Sequence, residues 1–162
     1  MIRPVLTGAA LLTLAACAHP VTAPSVQASA AQLASDVQLI DNGLSAVLPS
    51  VARVANVPPA TVARINADLA KIQADAAQVQ ADVTATSAVP TGVVQEIASV
   101  VTDVATVVLP AVPGAAPFVP VVQAANALVP VLLNAIGSPA AGAAPVMSPS
   151  AARLVLAGAA AR

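Results

Sequence analysis

The residues able to do chemistry in this chain are few. One cysteine, Cys17, and one histidine, His19, stand two positions apart near the start, so neither a Cys/His metal cluster nor a thiol and base pair can be assembled further along. Carboxylates are what remains. Asp36 with Asp41, and Asp68, Asp75 and Asp82 at heptad spacing, are the sets that acid/base work could draw on. On a helix rising 1.5 Å per residue the last three stand about 10 Å apart along one face, with no aromatic wall to shift a pKa. They are expected to be surface charges. The chain has no phosphate-binding Gly motif, and its one aromatic residue, Phe118, offers no platform for bases or sugars. The expectation is a protein without catalytic residues, cofactor or metal, and not an enzyme.

Cys17 is the residue whose surroundings carry information. Before it lie the three zones of an export signal: a basic start with Arg3, an apolar run from Pro4 to Leu14, and small residues. That run falls short of the roughly 18 apolar residues a membrane-crossing helix requires, so it fits a cleaved signal. Leu14, Ala15, Ala16, Cys17 then resembles the lipobox of bacterial lipoproteins: an aliphatic residue, two small residues and the cysteine. The resemblance implies cleavage before Cys17, acylation of its thiol, and a palmitate-type lipid anchor that holds the protein to the cell envelope. Ala18 in place of an Asp implies, by the same resemblance, the outer membrane facing the periplasm. A rival cut is also present. Ala16, Cys17, Ala18 satisfies the small-x-small pattern of an ordinary secretory site, which would cleave before His19 and discard the cysteine. A lone cysteine in an exported chain has no disulfide partner within it, which favours acylation.

Composition sets the remaining bounds. Apolar residues make up 58% and charged residues 8%, far below the roughly 25% of ordinary soluble domains, so small side chains such as Val and Ala must do the packing. Six basic residues against seven acidic ones exclude a basic nucleic-acid surface as a main feature.

Hydrophobic spacing supplies the helices. Leu33, Val37, Ile40, Leu44, Val47, Val51 and Val54 recur at steps of four and three, which predicts a helix seam with Gln32, Asp36, Asn42 and Arg53 facing water. Gly43 and Pro49 are its weak points, and Pro49 predicts a kink or break. Pro58 and Pro59 mark a boundary. A second seam follows in Val62, Ile65, Leu69, Ile72, Ala76, Val79 and Val83, with Arg64 and Asp68, and Lys71 and Asp75, as opposite charges one turn apart on the wet side. After Pro90, with Thr91 as cap, a third helix is expected to run to Leu109 on Val94, Ile97, Val101, Val104 and Val108. From Val104 to Ala152 no residue is charged, and the best helix within that span is Val121 to Ile136, whose Gln123, Asn126 and Asn134 share one face. Gly137 is the expected stop.

These elements predict an all-α fold of three to four amphipathic helices in a small bundle or coiled-coil-like arrangement. Residues 1–16 form the signal, 17–29 a tether, 30–136 the helical domain, and 137–162 a linker rich in Pro, Gly and Ala with a flexible C-terminal tail. In plan the chain is similar to the murein lipoproteins, which join a lipobox to a heptad helix, over the signal and residues 26–83. It ends in Arg162 where those proteins carry the Lys that joins them to peptidoglycan. Two functions are compatible with this layout. One is a structural or adaptor lipoprotein, held to membrane lipid through Cys17, which meets a second copy of itself or an envelope protein and no nucleic acid. The other is a membrane-active, phage-lysis-type lipoprotein whose uncharged half contacts or enters a bilayer; phage spanin lipoproteins resemble it in lipobox and proline richness.

Overall fold

The first seam forms α1, Val26–Val51, in the computed structural model, which describes residues 26–54, 56–86, 88–138 and 146–162. Cys17, His19, the signal and the start of the tether lie outside the described residues. Pro49 does not interrupt α1: it sits in the last turn, where the amide it lacks costs only the bond to the Ser45 carbonyl, and the helix ends two residues later at Val51. Asn56 then takes a left-handed turn at φ 66°, a conformation that asparagine tolerates better than most residues. The carbonyl of Pro58 accepts from Thr61 and Val62, and Pro59 opens α2, Pro59–Thr86.

Helix α3, Thr91–Asp103, begins behind Pro90, and here Thr91 is no cap: the amide of Val94 bonds the Pro90 carbonyl and no side chain caps the end. The expected run to Leu109 changes character part-way. Residues Val104–Val108 form a π-helical turn, closed by the Leu109 amide on the Val104 carbonyl, and Leu109–Ala111 a 3₁₀ turn. Pro110 explains the change, since it has no N–H for the Thr106 carbonyl and its ring crowds that turn. The wider turn lets the consecutive residues Val108 and Leu109 both face the core.

Helix α4, Val119–Ala135, stops at Gly137, whose φ of 72° closes a Schellman arrangement: Ser138 N–H bonds the Leu133 carbonyl at 2.9 Å and Gly137 N–H the Asn134 carbonyl at 3.1 Å. Gln123, Asn126 and Asn134 are all exposed on its outer face. A fifth helix follows. Ser148 accepts from the amide of Ala151, Pro149 occupies the first turn, and α5 runs Pro149–Ala160. The described residues thus hold five α-helices rather than three or four, and the C-terminal tail expected to be flexible is, from Pro149 on, one of them. Residues 139–145 of the expected linker lie outside the described residues.

Contacts arrange α1 to α4 as a ring, each helix packed on the next and α4 back on α1, while α5 lies along the groove between α1 and α4. Neighbours run antiparallel: Lys71 of α2 meets Glu96 of α3, and Arg64 meets Asp103. The core is small and aliphatic, filled by Leu33, Ile40, Leu44, Ile65, Ile72, Ile97, Leu128, Leu132 and Leu156 with many Val and Ala between them. Away from this core α2 presents a row of exposed alanines at steps of four and three, Ala63, Ala67, Ala70, Ala74, Ala77 and Ala81.

Candidate functional site

Among the described residues charged side chains meet at two places, and both differ from the sequence expectation. The first is where α5 covers α1. Asp36, expected to face water, is 1% exposed and receives two hydrogen bonds of 2.7 Å from the guanidinium of Arg153, with a third from Gln32 at 3.1 Å. Arg153 keeps 33% of its side chain in water. The hydrogen bonds to Asp36 tighten Arg153's hold on its proton, outweighing the opposite push of partial burial. A heptad further along the same edge of α1, Gly43 leaves the space that Leu156 fills. The fifth helix is what covers this edge, so the seam on α1 is broader than its large residues indicate.

The second is the line between α2 and α3. Arg64 turns away from Asp68 to make a two-pronged bond with Asp103, and Lys71 bonds Glu96 in place of Asp75. Both pairs are largely exposed and bridge helices rather than turns of one helix. The acids left behind are held under them. Asp75 is 8% exposed, and one carboxylate oxygen each of Asp68 and Asp75 is buried with no hydrogen-bond partner. Both pKa values are raised, by burial first and then by the neighbouring acid, Asp103 for Asp68 and Glu96 for Asp75, with Arg64 and Lys71 pulling the other way. Asp68 and Asp75 are therefore not plain surface charges. They border the seam on the side that α3 covers, which a single-helix reading of the pattern cannot see.

The raised values have a consequence for stability. A carboxyl whose folded pKa lies above its unfolded one binds its proton more tightly when folded, so it favours folding at low pH and loses that contribution as pH rises through the folded value. Between the ordinary 3.8 and the raised folded values, Asp68 and Asp75 make the bundle less stable with each step toward neutrality. Urea melts across that window should show a smaller fall for Asp68→Asn/Asp75→Asn than for the wild type. An unchanged slope would show that both carboxyls find partners in solution.

Between α3 and α4 lies an open trough of about 530 Å³, lined in part by Gln95, Ala98, Thr102, Asp103, Val129 and Leu133. Thr102 and Thr106 donate their hydroxyls to the carbonyls of Ala98 and Thr102, so neither is poised as a nucleophile. Among the described residues no group of three or more His, Cys, Asp or Glu is placed to hold a metal ion. No family model, curated protein or solved structure matches the chain. The lipidation residue expected from the sequence, Cys17, belongs to the part outside the described residues, and what sequence reasoning missed is the Asp36–Arg153 pair.

Proposed function

We propose that this protein is a bacterial envelope lipoprotein, acylated at Cys17, that acts as a structural or adaptor module at the outer membrane and faces the periplasm. The observation that carries the reading is the run Leu14, Ala15, Ala16, Cys17 behind a signal-like segment. An anchor of this kind is strong, because each buried acyl CH₂ contributes about 0.8 kcal/mol and more than one chain makes the attachment stable. The adaptor part is supported by the division of labour in the bundle. Its larger aliphatic residues are used in its own core, while the alanine row on α2 stays open, where small side chains let another helix approach closely.

The membrane-active reading rests on one observation. Thr91–Ala111 and Ala116–Ala135 are long and apolar enough to cross a bilayer, with mean hydropathies of 1.6 and 1.7. Val94, Ile97, Val101, Ala124, Leu128 and Leu132 within them are all buried in the bundle, so insertion would require the core to open. The adaptor reading keeps that core intact.

Fatty-acid labelling with membrane fractionation tests the proposal. Wild type should take up label and float with membranes, and Cys17→Ala should lose both together. A wild type that is unlabelled and begins at His19 would overturn the anchor. Leakage of dye from vesicles exposed to the Cys17→Ala protein would favour the membrane-active reading.

A further inference from the structure

We infer that one end of the bundle is a lipid-contact surface, and that it rests on the bilayer holding Cys17. The inference depends on the Cys17 anchor proposed above and adds which part of the fold meets the membrane. Several contacts define that end. Gln95, in the second turn of α3, donates to the Ser138 hydroxyl just past α4 at 3.1 Å, and the antiparallel Lys71–Glu96 and Arg64–Asp103 pairs bring the C-terminus of α2 beside the N-terminus of α3. Gln73 donates to Ser45 at 3.1 Å across the α1–α2 line, which places the start of α1 there as well. Arg153 on Asp36 adds the first turns of α5.

Chain length selects this end over the other. Only residues 18–25 separate Cys17 from Val26, the first residue of α1. Fully extended, the nine steps from Cys17 to Val26 reach at most about 32 Å, whereas α2 alone is about 42 Å long at 1.5 Å per residue. The far end of the bundle lies a helix length further away.

Chemistry agrees with position. Val26 to Ser35, Ala88 to Gln95, Val129 to Ser138 and Val146 to Ala152 contain no charged residue, so this end can approach the interface without stripping water from an ion. The first charge along α1, Asp36, is buried and neutralised by Arg153; Asp82 and the paired Glu96 are the nearest others. Val146, two residues before the cap of α5, is 82% exposed, and the half-buried Val89 before α3, Ile136 after α4 and Met147 before α5 belong to the same end. Such a patch would bind a bilayer weakly by itself, but the anchor makes the encounter intramolecular, and a weak contact is then populated. With no basic cluster present, the contact should not depend on anionic lipid or on salt.

The test uses the full acylated chain in vesicles of phosphatidylcholine and phosphatidylethanolamine doped with nitroxide-labelled lipid. A fluorophore is carried on a cysteine introduced by Val146→Cys or, at the opposite end, by Ala111→Cys; both positions are exposed, and the thiol of Cys17 is occupied by lipid. Quenching should be severalfold stronger at 146 than at 111 and unchanged by added salt. Equal or reversed quenching in protein that floats with the vesicles overturns the contact surface while leaving the anchor intact. Protein that does not float overturns both.

Discussion

Arg153→Ala should destabilise the bundle by about 3 to 5 kcal/mol, the loss that follows when a buried ion pair is left with one charge. The carboxylate that stays behind, Asp36, is 1% exposed and would keep only the Gln32 amide as a donor. The two halves of the pair are not equivalent. Asp36→Ala leaves a guanidinium that already has 33% of its side chain in water and can complete its solvation by a small rotation, so a smaller loss, about 1 to 2 kcal/mol, is expected. Replacing both by leucine should recover most of the stability, because two apolar groups of similar size avoid the desolvation that the pair itself suffers. Denaturant midpoints of the three variants check this order. If Arg153→Ala and Asp36→Ala lose the same amount, the carboxylate is reaching water and α5 is not seated as described.

That pair shows where the pattern of the sequence runs out. The seams were legible because a helix repeats its buried positions: Val94, Ile97, Val101, Val104 and Val108 are all buried, as are Leu33, Val37, Ile40 and Leu44 in α1 and Ile65, Ile72, Ala76 and Val79 in α2. Periodicity describes one helix at a time, however. Whether Asp36 faces water depends on a helix that starts more than a hundred residues later, and the two ion pairs of α2 have equally good partners within the helix and across to α3. Helix α5 itself buries fully only Ala152 and Leu156 while exposing Leu154, too little to register as a seam. Its signal was local: Ser148 followed by Pro149 is an N-cap and first-turn pair, placed inside a stretch whose Pro, Gly and Ala content pointed to a linker. The candidate lipidation site stands on the other footing, since Cys17 is read from sequence alone.

The seating of α5 can be tested a second way, through a change of sign. A methyl group on Gly43 would come within 2.5 Å of a terminal carbon of Leu156, so Gly43→Ala should destabilise the wild type by about 1 to 3 kcal/mol as an overpacked contact. Leu156→Ala alone empties a fully buried site and should lose about 2 to 5 kcal/mol. In that background the clashing carbon is gone, and the nearest atoms left to the Gly43 methyl are the β-carbon at 3.4 Å and the α-carbon at 3.5 Å. There Gly43→Ala should become neutral or stabilising by up to about 1 kcal/mol, because alanine is the better helix former in the middle of α1. The double-mutant cycle should therefore show a coupling of about 2 kcal/mol between residues on the first and last helices. Were α5 detached in solution, Leu156→Ala would change stability by less than about 0.5 kcal/mol and Gly43→Ala would stabilise both backgrounds alike. Coupling with reversal of sign requires Leu156 to occupy the space that Gly43 leaves, which makes the close approach of α1 and α5, and not the hydrophobicity of the tail, the reason for a glycine in the middle of a helix.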